Sequence, residues 1–422
     1  MNKVAISVLG ILAVCLFALP VSRILHQVYI DPNEAWNAYH TTETLSSLYT
    51  DDLTPVNYPP FYFYIMKLFP DPLIGGRILS LISLFCISLF ISLIVYQTTR
   101  KKSPAIFAGI LNLAFFLLLA PGYVGMNDPQ IFATAIMLGG FYVYLRSHNV
   151  FWSALLFIIA LFIKNNLIVV PLVVAIDLLK EKRLLGYYLL TLCGGSALLL
   201  GLFQLGNPNF IQSLLIKRTY HLEYIWMLLK MGVLPIIVLF VVGVMKKGIS
   251  RMFILLALLA GLAFSGGAGT DINMYFDLYI ALSIALGFIA VEYPVVVTFA
   301  LINIAIIFGM HYSDKSVFYQ YPDEKASIEL VRQYADPVFC EENIICYYAG
   351  KKYSLDPFLV GQQIKTGAKN PNVLLEQRFT LIQLYQSAET PQNDPAMQAF
   401  YDKIKKEYRL IKTLNGKYFY EI

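Results

Sequence analysis

The chain has 422 residues, of which 58% are apolar and only 59 (32 basic and 27 acidic) carry a charge, against about a quarter in a soluble domain. The charges are unevenly placed: 31 fall in residues 1–311 and 28 in residues 312–422. This excludes a soluble enzyme, a disordered chain and a disulfide-framework protein, and the net charge of +5 belongs to a membrane topology, with nothing to suggest nucleic acid.

A helix crosses the hydrocarbon with about 20 apolar residues, and about 17–25 are tolerated. Such runs begin near Val4, Ile78, Pro104, Ile131, Phe151, Leu167, Tyr187, Ile225, Met252, Tyr275 and Pro294. The expected fold is mainly α: a polytopic helical membrane domain over residues 1–311 with about eleven spans. A small C-terminal α/β domain over 312–422 follows. The first run lies after Lys3 and lacks a clean small-x-small cleavage site, so it reads as a retained anchor. Runs 151–163 and 167–179 are short for two spans and are divided by Lys164-Asn165-Asn166, which reads as two helices meeting at a polar turn.

With the N-terminus inside, the inner loops hold eleven Lys and Arg and the outer segments seven, which favours N-in and C-out. The loop 22–76 and the tail then share the outer side. No Asn-x-Ser/Thr sequon occurs, which favours a bacterial inner membrane. Cys15, Cys86 and Cys193 fall in spans as apolar filler, whereas Cys340 and Cys346 can pair if the outer compartment is oxidising. In the tail, 337–340, 344–348, 379–385 and 417–422 read as strands, and 324–334 and 395–408 as helices.

The residues able to carry chemistry gather on the outer side. Asp31-Pro32-Asn33-Glu34 places two carboxylates at a membrane boundary. Helix capping by Asp31 is the plainer reading, with general-base work the alternative. Asn57-Tyr58-Pro59-Pro60-Phe61 fixes an extended aromatic segment. Asn127-Asp128-Pro129, Lys164 and, further on, Arg77 and Arg218 add acids and cations at the same surface, a combination suited to an anionic lipid-linked substrate. The turn Gly266-Gly267-Ala268-Gly269-Thr270-Asp271-Ile272-Asn273 is either an amide cradle for phosphate or a loop between spans. No ionisable residue lies mid-span, which disfavours a proton-coupled carrier. Walker, Cys/His metal and Gly-x-Ser-x-Gly patterns are absent.

Taken in order, these segments resemble the GT-C class of integral-membrane glycosyltransferases, in particular enzymes related to aminoarabinose transferase and protein mannosyltransferases (glycosyltransferase family 39-like). Asn33-Glu34-Ala35-Trp36-Asn37-Ala38 stands at the acidic motif, Tyr58-Pro59-Pro60-Phe61-Tyr62 at the proline segment, Arg77 at the arginine, Asn127-Asp128 at the next acid and Ile163-Lys164-Asn165 at the lysine turn. The family's leading Asp is Asn33 here, with an acid two residues earlier as Asp31, and Asn165 replaces a glycine. The order holds over residues 1–180, and likeness over the tail is poor. The resemblance implies inverting transfer of one sugar from a polyprenyl-phosphate donor to a glycan, lipid or protein acceptor at the outer face.

In that scheme Asp31 or Glu34 is the base, and Asp128 orients the acceptor or a divalent cation. Lys164, Arg77 and Arg218 bind the donor phosphate, while Tyr58, Pro59, Asn127, Asp271 and Asn273 line the substrate. A metal is not required; if one is present, Mg or Mn held by Asp31, Glu34 and Asp128 is the expectation. Two other readings stay open: a polysaccharide polymerase or ligase, and a multi-pass lipid or solute transporter.

Overall fold

The computed structural model describes residues 3–24, 30–312, 324–392 and 395–422. Helices stand at all eleven expected places, from Lys3–Arg23 through Pro72–Thr99, Lys102–Leu119, Pro129–Ser147 and Ile249–Ser265 to Val295–Tyr312. Six of them, among the described residues, are long and apolar enough to cross a membrane, and the protein is a multi-pass membrane protein. The helix Ile272–Glu292 is the most enclosed, whereas the best apolar window of Lys182–Gly206 has no buried residue. So much exposed apolar surface is stable only with lipid around it. Close packing at the centre depends on small residues: a Cβ on Gly287 would stand 2.8 Å from that of Ala108 on the neighbouring helix.

The short runs at 151–179 form the helical hairpin expected of them, Val150–Leu161 and Val169–Asp177, with Lys164 at its tip. Among the described residues, four helices begin with the same Asp-Pro dipeptide. Asp31, Asp71, Asp128 and Asp356 each accept a backbone N–H from the first turn, and the proline after each fills the first helical position.

The tail carries a four-stranded mixed sheet of order β1-β2-β4-β3, with β1 Val338–Cys340, β2 Leu381–Leu384, β3 Arg409–Leu414 and β4 Lys417–Glu421. β1 and β2 are parallel, and the remaining pairs are antiparallel. Three expected strands and both expected helices are present. The fourth, 344–348, is instead the helix Asn343–Tyr348, tied to the end of β1 by the Cys340–Cys346 disulfide. Its adjacent residues Ile344 and Ile345 are both buried, which an alternating strand with one solvated face does not allow. Three elements are additional. β3 joins β4 through Asn415-Gly416, both with positive φ, the two-residue turn that suits a hairpin. The helices Pro357–Lys365 and Asn372–Leu375 are the others.

The loop helix Pro32–His40 is lodged between bundle and tail. Trp36 belongs to the bundle core, while Ala35 and Ala38 pack with Val331, Ile344, Ile345 and Phe419 of the tail. The Trp36 indole donates to Asp356 Oδ2 at 2.9 Å, and Tyr39 stacks on Tyr353 with ring centres 5.0 Å apart. Asp356 Oδ1 meanwhile caps Pro357–Lys365 through Leu359 N, and burial pushes its carboxyl above the usual carboxylate range. Asp356→Ala removes the cap and orphans a buried indole, for an expected loss of about 2–4 kcal/mol. In a variant lacking Trp152 and Trp226, the loss appears as a lower Tm and a red-shifted Trp36 emission; an unchanged Tm would show that the contact is incidental.

Candidate active site

The site begins at two of these caps. Asp31 Oδ1 accepts from Asn33 N at 2.8 Å and Asp128 Oδ1 from Gln130 N at 2.8 Å. Each cap engages one oxygen and leaves the other for chemistry, so capping and catalysis are compatible here. Asp31 Oδ2 has no hydrogen bond among the described residues. Burial pushes the Asp31 carboxyl up to about 6, the Asn33 N–H opposing this and the nearby carboxylates of Asp128, Glu34 and Asp271 adding to it.

Glu34 is differently placed. Both its oxygens meet Arg77, with Nε donating to Oε1 at 2.9 Å and Nη2 to Oε2 at 2.7 Å, and Asn127 N donates to Oε1 at 2.9 Å. Asn127 continues the network: its amide donates to Glu34 O at 2.7 Å, and its Oδ1 accepts from Tyr62 OH at 2.6 Å. Arg77 also donates to Arg23 O at 2.9 Å. Glu34, Arg77 and Asn127 are fully buried, and a Cβ on Gly76 would overlap the Asn127 side chain.

These partners correct three expectations. Glu34 is committed to an ion pair with Arg77 and is not free to act as base, and neither Arg77 nor Asn127 is among the residues lining the adjacent cavity. Glu34→Gln is expected to cost about 3–5 kcal/mol by leaving Arg77 buried against a neutral group. Thermal unfolding of the variant checks this; a parental Tm with lost turnover would return Glu34 to the chemistry.

Beside this network lies a cavity of about 330 Å³ whose walls include Tyr58, Asp128, Lys164, Arg218 and Asn273. Lys164 is 5% exposed. Its ammonium sits 3.6 Å from the Tyr58 ring centre and 3.9 Å from Asp128 Oδ2, beyond hydrogen-bond reach, so it lines the cavity without a hydrogen bond among the described residues. Arg218 makes one hydrogen bond, to Ala268 O at 3.3 Å, and lies over Phe358 of the tail at 5.6 Å.

Pro59 is buried and does not line the cavity. With Pro60 it holds Tyr58 in place, the chain being tied to the hairpin tip by Phe61 N donating to Phe162 O at 3.2 Å. The glycine-rich turn is not an amide cradle, because Gly267 N, Ala268 N and Thr270 N donate to Phe264, Thr219 and Gly267 carbonyls. Asp271 is exposed outside the cavity wall and caps the short turn after it. Asn33, Asn57, Asn165 and Asn166 also line the cavity; they lie in the acidic motif, the proline segment and the polar turn that the sequence marks. Among the described residues no three His, Cys, Asp or Glu side chains form a group able to hold a metal ion. The trio Asp31, Glu34 and Asp128 does not fit one, since Glu34 is bound to Arg77 and Asp128 faces Lys164.

No protein-family model matches the chain, and no curated protein matches it by sequence. Among solved structures, it is similar to ArnT from Cupriavidus metallidurans in the apo state, with a TM-score of 0.64 at 11% identity over 98% of this chain and 97% of that one. It is likewise similar to ArnT from the same organism bound to undecaprenyl phosphate, with a TM-score of 0.63 at 12% identity over 100% and 98%. The chain shares the fold of these ArnT structures. That likeness includes the tail, where sequence resemblance is poor.

Proposed function

From a chain with this fold and an unsatisfied ammonium facing a cavity, we propose a membrane glycosyltransferase. It moves one sugar, with inversion, from a polyprenyl-phosphate donor to a glycan, lipid or protein acceptor at the outer face of a bacterial inner membrane. The observation that carries the reading is Lys164: a cation 5% exposed without a hydrogen bond is costly unless an anion completes it. The ArnT neighbour bound to undecaprenyl phosphate supports a lipid phosphate as that anion. The Cys340–Cys346 disulfide fits an extracytoplasmic tail.

In the proposed reaction Asp31 takes the proton of the acceptor hydroxyl. The acceptor oxygen forms a bond to the anomeric carbon as the bond from that carbon to the phosphate oxygen breaks. Lys164, with Arg218, receives the charge that gathers on the departing polyprenyl phosphate. Asp128 holds the Lys164 ammonium toward the cavity and Tyr58 supports its underside. The test uses purified protein in proteoliposomes with labelled polyprenyl-phosphate sugars. Consumption of donor with release of polyprenyl phosphate is expected; label that crosses the bilayer still attached to its lipid would replace the enzyme by a transporter.

A further inference from the structure

The tail helix Pro357–Lys365 meets the bundle side at two places. Its cap, Asp356, holds the Trp36 indole of the helix that follows Asp31. In its first turn, the Phe358 ring centre lies 5.6 Å from the Arg218 guanidinium, within the range of a cation–π contact. One turn further on, Gln362 is 5% exposed, and its Oε1 accepts from Thr219 N at 2.9 Å and from Thr219 Oγ1 at 3.0 Å. The segment that carries Arg218 is held on its other edge by the glycine-rich turn. Ala268 N donates to Thr219 O at 2.9 Å, His221 N to Gly266 O at 2.7 Å, and Tyr220 OH to Ala263 O at 3.0 Å. Gly269, with a φ of +73°, leaves open the place that the Phe358 ring takes, since a Cβ there would stand 2.3 Å from Phe358 Cζ.

Arg218 depends on this support. Its side chain makes one hydrogen bond, to Ala268 O at 3.3 Å, and no carboxylate pairs with it among the described residues. A long cation held so lightly gives up rotamer freedom when a ligand fixes it, and a ring beside it on a pinned backbone reduces that loss in advance. Arg218 lines the cavity, whereas Phe358 and Gln362 do not, so what these two contribute there passes through Arg218. Core packing does not account for Phe358, which is 42% exposed and belongs to none of the buried apolar clusters.

We infer that Phe358 and Gln362 are positioning residues, through which the tail aims the Arg218 guanidinium at the phosphate of the lipid carrier. This rests on the glycosyltransferase reading above, in which Arg218 meets that phosphate. The test measures binding of undecaprenyl phosphate to the full-length protein in nanodiscs. Phe358→Leu is expected to weaken binding about 3–10-fold and Gln362→Leu about 10-fold, while Phe358→Tyr, which keeps the ring, binds close to the parent. In an Arg218→Gln background neither leucine variant weakens binding further, because the group they position is gone. A merely structural contact would instead add its full loss in that background and would not be rescued by tyrosine. Parental binding by either leucine variant, a loss undiminished in the Arg218→Gln background, or an Arg218→Gln protein that binds like the parent overturns the positioning role and leaves the glycosyltransferase standing on Lys164. A parent protein that does not bind undecaprenyl phosphate overturns both.

Discussion

Lys164→Met is expected to weaken undecaprenyl phosphate binding and lower kcat/KM about 100-fold or more, without lowering the Tm. Ordinarily a buried cation is removed at a cost, because its partner is left behind. Here the ammonium has no hydrogen bond and its nearest carboxylate oxygen is 3.9 Å away, while Asp128 stays satisfied at Gln130 N. Removing the charge also removes its desolvation penalty. The variant should therefore melt at or above the parent temperature while losing its ligand, the pattern of a residue kept for binding at the expense of stability. Lys164→Arg separates charge from shape, because a planar guanidinium over Tyr58 keeps the cation but moves its donors. Thermal unfolding with and without undecaprenyl phosphate reads both effects. A lowered Tm combined with unchanged lipid binding would reassign Lys164 to the fold.

Asp31→Asn is expected to reduce kcat by about 10²–10⁴-fold with little change in KM. The carboxamide oxygen of the variant still accepts from Asn33 N, so the helix start survives and loss of activity is not loss of structure. The sign of the pH dependence follows from the role. A base must be ionised to take a proton, so parental activity falls as pH drops through about 6, where burial has pushed this carboxyl. The residual activity of Asp31→Asn should show no such limb. A parental rate in the variant, or an acid limb that persists in it, would place the base elsewhere.

The pairing of Asp31 with Glu34 shows how far the sequence is informative. Two carboxylates three residues apart mark a site, yet nothing in their spacing says which is free. That is decided by Arg77, 43 residues beyond Glu34, and by a glycine before it that leaves room for Asn127. Apolar run lengths located the helices because the bilayer imposes a length, and the hairpin tip was visible because a Lys-Asn-Asn turn interrupts such a run. The tail obeys no comparable constraint. Its Ile-Ile-Cys-Tyr-Tyr run has strand composition, yet it forms a helix tied to the end of β1 by the Cys340–Cys346 disulfide. β3 was marked by Asn415-Gly416, the strongest local hairpin signal in the tail, which composition-based reading of its polar residues passes over. Of the cavity asparagines, Asn273 and the positions in the motifs were visible in the sequence, but a carboxamide's partners are read only from the structure.

The hydrogen bond between Trp36 and Asp356 spans 320 positions of the chain. The helix that carries the proposed base is among the first segments made, and its seat is among the last. Until residue 356 has been synthesised, that helix can dock on the bundle through Glu34, Arg77 and Asn127 but lacks its seat in the tail. Synthesis therefore orders the assembly in time: the bundle is laid down first, and the reactive corner is completed only when nearly the whole chain exists.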